Sequence, residues 1–385
     1  FENSSTAGNA TFINNGSNFG TALGGTVTFL AQSSAGKGTF INNGSARPGG
    51  FSGETYFFSN GSSTATAANA TIINNGGTFS GAAGGLTSFS NDSISAGNAT
   101  LIANGGSDGG GGGAIRFDGR AKGGTARVEV FGNGYLDVSV AFARGGLKIG
   151  SIEGDGYVFL GGMPLIVGAN NSSTSFSGKI QDEGGVGTGT GGSLTKVGRG
   201  TLVLSHRNTY NGGTTIQHGT LMVNNKQGSG TGSGPVQVNG GTLAGKGTMV
   251  GAVTVGTGIS SGAVLSPGYQ HGANKLGALT IQNTLTFKAN STYEVEVNST
   301  NATADEVIAN GVTIDSIAQF SFGDIGSTVL PTGTVFMVID NTAATPIAGT
   351  FSNLPDGSTF TSDGNTYHVN YQGGDGNDLT LTVVP

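Results

Sequence analysis

Short runs of alternating apolar and polar residues, each closed by asparagine and glycine, recur along the first hundred residues. The stretch "AGNATFINNGS" begins at residue 7, and the same phrase returns as "AGKGTFINNGS", "AANATIINNGG" at 67 and "AGNATLIANGG" at 96. In "NATFINNG", Ala10 and Phe12 fall on one side of an extended chain and Thr11 and Ile13 on the other, which is the period of a β-strand. Asn14, Asn15 and Gly16 then end the strand, because Asn and Gly tolerate the positive φ of a sharp bend. Phe40, Ile72 and Leu101 occupy the place of Phe12 in the other copies. Asn43, Asn75 and Asn104 occupy the place of Asn15.

Each copy carries a second strand-like run after a Gly-Gly pair: "GGTVTFL" at 24, "GGFSGETYFF" at 49, "GGLTSFS" at 84 and "GGAIRF" at 112. The Asn15, Asn43, Asn75 and Asn104 positions recur at about 30 residues, a period of stacked arrays. Farther on the period shortens to about 20, with "GTL" at 200, 219 and 241 and "GAVL" at 262. Strand-like pieces such as "GTLVLS", "GPVQVNGG" and "GAVTVG" continue the pattern, and no segment shows sustained helical spacing with caps. The capping-box spacing of Thr303 and Glu306 predicts at most one helical turn in "TADEVIAN".

This pattern predicts an all-β chain, a β-solenoid with a C-terminal β-rich cap region. Each coil lays its strands about 4.8 Å above those of the coil below and completes their hydrogen bonds. Equivalent positions then touch one another. Phe12, Phe40, Ile72 and Leu101 form an apolar column, and Asn15, Asn43, Asn75 and Asn104 form a ladder of side-chain amides. The changes of rhythm divide the chain into an N-terminal solenoid of Phe-x-x-Asn repeats (1–113), a second solenoid (114–275) and a C-terminal β-rich solenoid and cap (276–385).

Composition narrows the partners. The chain has 385 residues with 75 glycines, no cysteine and no tryptophan, and a formal net charge of −6 with only 16 Lys and Arg. Scarce cations argue against nucleic acid, since phosphate neutralisation needs clustered Lys and Arg. No apolar run approaches the roughly 20 residues of a membrane helix. The absence of cysteine excludes a disulfide framework and a thiolate metal site, and it suits export in an unfolded state. Phe1 opens on a repeat-like phrase, so any secretion signal is expected to be removed or to lie outside this sequence.

The stretch "GSLTKVGRGTLVLSHRNTYNGGTTIQHGTLMVNN" (192–225) resembles the autotransporter-associated β-strand repeat. The segments that carry the likeness are Leu194 to Leu202, Asn208 to Thr214 and Gly219 to Leu221. Residues 240–268 resemble the coils that follow such a repeat, and the tail from Gly349 resembles the end of many such passenger regions. The first hundred residues resemble the Phe-x-x-Asn and Gly-Gly-Ala-Ile repeats of chlamydial polymorphic outer-membrane proteins, through Phe12–Asn15, Phe40–Asn43 and Gly112–Ile115. Ile72 and Leu101 depart at the aromatic position. The resemblance implies a right-handed parallel β-helix exported from a Gram-negative-type cell for surface display, adhesion or scaffolding. Nothing after Leu330 has the long amphipathic strands of a membrane barrel. A tail such as "GGDGNDLTLTVVP" leads into a Pro-Glu-Pro sorting signal in related proteins, which implies a passenger processed at the surface.

Candidate chemistry is sparse. The carboxylates are scattered, and the tight pair is Glu294 with Glu296, expected on a solvated strand face opposite Tyr293, Val295 and Val297. Asp305 and Glu306 read as a turn. His206, His218, His271 and His368 lack metal-ligand spacing, although His206 and His218, placed in successive strands, are expected to approach one another. "GISSG" (258–262) spells a nucleophile motif without a strand-to-helix elbow. "GGTLAGKG", with Gly240, Gly245 and Lys246, approximates a phosphate loop but has no following helix. "GGDGNDLTL" resembles a calcium-binding nonapeptide through Gly373, Gly374, Gly376 and Asp378. It is a single copy with its apolar position out of register, so Asp375 and Asp378 are calcium candidates set against a tight turn into the last strand. No catalytic, cofactor or metal residue is assigned.

The expected function is therefore non-enzymatic: an extracellular or cell-surface β-solenoid acting as adhesive stalk, scaffold or subunit of a head-to-tail filament. Its expected partners are itself, matrix components or glycans. The alternative is a carbohydrate-binding or polysaccharide-degrading module on the same scaffold.

Overall fold

The computed structural model describes residues 1–18, 22–58, 64–143, 145–259, 262–268 and 276–385. Among them no helix occurs. The chain forms two compact units, one of residues 1–202 and 209–212, the other of residues 203–208 and 213–385. Both are right-handed parallel β-solenoids.

In the first unit one sheet stacks Thr11–Asn14, Thr39–Asn42, Thr71–Asn74, Thr100–Ala103, Arg127–Val130, Ser151–Gly154 and Thr174–Phe176, all parallel. A second sheet stacks Thr26–Phe29, Glu54–Phe58, Leu86–Ser90, Ala114–Asp118, Tyr135–Asp137, Tyr157–Phe159 and Lys179–Gln181. Single bridges join Thr6, Ser34, Thr66, Ser95 and Lys122 in turn. A third sheet, Leu147–Ile149, Pro164–Val167 and Ser193–Lys196, stands in the later coils.

The expected column is present in register: Phe12 lies over Phe40, Phe40 over Ile72 and Ile72 over Leu101. The amide ladder is present too. Asn43 Nδ2 donates to Asn15 Oδ1 at 2.8 Å, Asn75 to Asn43 at 2.8 Å and Asn104 to Asn75 at 2.9 Å. Behind it runs a second, interior ladder. Asn14 Nδ2 donates to Asn42 Oδ1 at 2.7 Å, and Asn42 Nδ2 donates to Asn74 Oδ1 at 2.8 Å. Thr55 and Thr87 of the second sheet donate their hydroxyls to Asn42 and Asn74 at 2.9 and 2.8 Å. Asn42 and Asn74 are fully buried, so this polar seam ties two sheets together inside the core.

Beside the seam, Phe29, Phe57, Phe89 and Phe117 stack ring on ring, with centroids 4.7, 4.9 and 4.8 Å apart and planes within 11°. That separation is the distance between neighbouring strands, so the backbone ladder fixes it. The glycine that opens the second strand before Glu54, Leu86 and Ala114 is a steric requirement of the corner. A Cβ at Gly53 would sit 1.8 Å from Asn14 O, and one at Gly85 2.0 Å from Asn42 O.

In the second unit Thr220–Val223, Gly241–Gly245, Ala263–Pro267, Ser291–Asn298 and Gln319–Asp324 stack in parallel. A second sheet stacks Thr214–Ile216, Val236–Val238, Val253–Val255, Leu285–Phe287 and Val312–Ile314. A third runs Thr248–Met249, Ala278–Ile281, Glu306–Ala309 and Val335–Asn341, then turns antiparallel through Asp378–Val384, Asn365–Gly373 and Thr359–Ser362. The helical turn expected at Thr303 is absent: Thr303–Ala304 and Glu306–Ala309 are strands. Val307 and Ala309 are fully buried at alternate positions, and pairing with Ala278–Ile281 supplies hydrogen bonds that one isolated turn cannot.

The two ladders should differ sharply in worth. Asn42→Ala leaves several buried donors and acceptors without partners and is expected to cost about 2–4 kcal/mol in urea denaturation. Asn43→Ala, on the half-exposed ladder, is expected to cost under about 1 kcal/mol.

Candidate functional site

The residues singled out in the sequence are mostly placed as pieces of architecture. Glu294 and Glu296 lie half-buried on the outer face of Ser291–Asn298, opposite the buried Tyr293, Val295 and Val297. His206 and His218 stand in bends rather than in successive strands, because each follows a strand that has already ended at a Ser or Gln corner. His206 lines a shallow depression with Ser205, Arg207, Lys226 and Gln227. His368 lies within Asn365–Gly373, across from Thr359 and Thr382. Lys246 follows the strand Gly241–Gly245, and no helix follows it. His271, Ser260 and Ser261 lie outside the described residues. Among the described residues no group of three His, Cys, Asp or Glu side chains is arranged to hold a metal ion.

Asp378 closes the hairpin between the last two strands, opposite Gly373. Its Oδ1 accepts the Asn341 amide at 2.8 Å and its Oδ2 the Asp375 amide at 3.3 Å, so both oxygens are engaged by backbone. The same device recurs. Asp137 accepts from the Ser139 and Val186 amides, each at 2.9 Å. Asp324 accepts from Ser299 and Gly326 at 3.0 and 2.8 Å. Asp305, read from the sequence as part of a turn, is 2 % exposed and accepts from Gly277 and Glu296 at 2.9 and 3.1 Å. A carboxylate answers two amide donors at a bend where no strand can, and burial is what it costs. Burial raises the Asp305 carboxyl to about 7, with its two amide bonds opposing that rise.

Lys196 sits in the "LTKVGRGTL" run and is 1 % exposed. Its Nζ donates to Val197 O at 2.7 Å and Gly198 O at 3.0 Å, and burial lowers it to about 8. It serves as a buried bracket for the turn.

Two surface features were not read from the sequence. The carboxylates are not all scattered: on the outer face of the second sheet of the first unit, Glu54, Tyr56, Arg116, Asp118 and Asp137 come together across the coils. Tyr56 lies over Ser88, Ser88 over Arg116 and Arg116 over Asp137. Tyr56 Oη donates to Glu54 Oε2 at 2.7 Å, and burial with this bond raises its hydroxyl pKa. Asp118 accepts from Ser90 at 3.0 Å, and its carboxyl is raised, chiefly by burial. Arg116 Nε stands 3.9 Å from Asp137 Oδ2. Tyr56 and Arg116 fall one place before Phe57 and Phe117, and Asp118 one place after Phe117, so aligning the repeats on those rings puts these three on one face although their identities do not repeat. The second feature is a cleft of about 560 Å³ with Arg120, Lys122 and Lys148 on its rim and Ala121, Ala143 and Leu147 in its wall.

Comparison with known proteins adds the class. Residues 194–223 match the passenger-associated-transport-repeat family. Among solved structures the Haemophilus influenzae Hap adhesin is similar, with 12% sequence identity over 98% of this chain and 33% of that chain, at a TM-score of 0.32. The chain thus spans about a third of the length of that adhesin chain. No curated protein matches the chain. The repeat match and the stacked parallel sheets make this an autotransporter-passenger-like repeat protein.

The elevated Asp305 carboxyl has a pH consequence. Its folded value, about 7, lies above the ordinary 3.8, so the folded state holds the proton more tightly. The resulting stabilisation is complete below about pH 4 and lost as pH rises through about 7. Urea melts of the protein between these limits should show stability falling with pH, and Asp305→Asn should flatten that slope.

Proposed function

We propose that this chain is an extracellular structural module, a surface-displayed β-solenoid that serves as an adhesive stalk or scaffold on a Gram-negative-type cell. The observation that carries the reading is the in-register self-stacking of the coils. Successive rungs supply backbone partners and a packed ring or aliphatic side chain to the next, and the N-terminal coils add a matching amide, so much of the sequence is spent on holding the array together. The passenger-associated-transport-repeat match supports export, and a chain without cysteine meets no disulfide trap on the way. The buried aspartates act as turn staples, accepting backbone amides where strands end, which supports a structural role for them.

A stalk fits better than a head-to-tail filament. A stacking copy needs a free parallel edge on each sheet. On the third sheet of the second unit, the Val335–Asn341 strand is instead paired antiparallel by Asp378–Val384.

Fused ahead of an outer-membrane barrel, the chain is expected to reach the surface of intact cells and to resist trypsin there despite its 16 Lys and Arg residues. Antibody labelling and protease treatment of whole cells check this. Retention inside the cell, or rapid cleavage at the surface, would overturn the reading.

A further inference from the structure

The outer face of the second sheet in the first unit changes character at its last three rungs. Tyr135 lies over Tyr157, and Tyr157 over Lys179; Asp137 lies over Phe159, and Phe159 over Gln181. Three aromatic rings therefore gather outside the solenoid. Tyr157 and Phe159 stand 6.0 Å apart with planes within 16°, and Tyr135 and Phe159 stand 5.3 Å apart. Tyr157 is 38% exposed.

Beside this shelf the next rung opens into a pocket of about 250 Å³ lined by Lys179, Gln181, Asp182, Glu183, Thr190 and Asn211. Asp182 is 5% exposed. Its Oδ2 accepts the Gly191 and Asn211 amides at 3.2 and 3.3 Å, while Oδ1 has no hydrogen-bond partner among the described residues. Two glycines keep the place open. A Cβ at Gly192 would come within 2.5 Å of Asp182 Oδ1, and one at Gly184 within 2.7 Å of the Phe159 ring.

With Thr209, the pocket wall combines an ammonium, two carboxylates, two amides and two hydroxyls, and its formal charges leave one negative over. That set pairs with hydroxyl groups, which both donate and accept, rather than with a polyanion. An aromatic shelf next to convergent polar groups presents one apolar face and one hydrogen-bonding wall to the same ligand. A sugar ring has that dual character, with C–H bonds on its face and hydroxyls on its rim. We propose that the shelf of Tyr157 and Phe159 and the Lys179–Asp182–Thr190 pocket bind a neutral oligosaccharide. This goes beyond the structural role and does not depend on it, since surface display and glycan binding are measured separately.

The test is isothermal titration of the full chain with cellohexaose, maltohexaose and soluble mannan, with polygalacturonate as a charged comparison. At least one neutral probe is expected to bind with a millimolar or tighter Kd. Tyr157→Ala is expected to weaken it about tenfold or more with the melting temperature unchanged, and Tyr157→Phe to retain it. Thr190→Trp, at an exposed rim position, should block the pocket without touching the core. The proposal is overturned if no neutral probe binds, or if only polygalacturonate does. It is equally overturned if both Tyr157→Ala and Thr190→Trp bind as the parent does.

Discussion

The parallel hydrogen-bond ladder between coils governs everything else in this protein. It places equivalent residues one strand spacing apart and leaves them no freedom to avoid each other. What a position can be is then set by whether it tolerates a copy of itself. Phenylalanine does, as the Phe29–Phe57–Phe89–Phe117 stack shows, because near-parallel rings about 5 Å apart can offset and attract. Asparagine does as well, since its amide carries a donor and an acceptor and each copy can serve the next. Glycine does where two backbones meet too closely for a Cβ.

Charge does not tolerate its copy, and this accounts for a chain in which only 10% of residues are charged. Like charges directly opposite on neighbouring strands repel. Where the register does set Glu129 over Glu153, one cation manages both: Arg127 Nε donates to Glu153 and stands 3.0 Å from Glu129 Oε1. Several other buried or half-buried carboxylates stand at the ends of the strands, where the ladder stops. Asp137, Asp182, Asp305, Asp324 and Asp378 sit at strand ends or just beyond them, where they accept the amides that a turn leaves without a strand partner.

Much of this was legible from the sequence because identical residues at a fixed period can only be neighbours. The Phe12 column and the Asn15 ladder followed from "NATFINNG" alone. The interior ladder of Asn14, Asn42 and Asn74 did not. The phrase contains two adjacent asparagines, and strand alternation sends one inward and one outward; reading both as a bend hid the buried one. The cluster around Tyr56, Arg116 and Asp118 was missed for a different reason. Its members are unlike one another and lie in different coils, so no repeat advertises them. The strand at Glu306 was obscured because capping-box spacing is a local signal, and pairing with Ala278–Ile281 overrides it.

The same contrast separates scaffold from surface. A position that must match its copies in every coil is bound to the ladder and has little room to acquire chemistry. A position on the outer face between ladders is released from that constraint and can change from rung to rung. In the first unit the outer column runs from Tyr56 through Ser88 and Arg116 to Asp137, Phe159 and Gln181, never repeating itself. Its inner neighbours meanwhile keep to Phe57, Phe89 and Phe117, and then to smaller aliphatic residues. Where recognition is built on such a fold, it belongs on the columns that do not repeat. In this chain those columns carry the aromatic shelf and the pocket of Asp182.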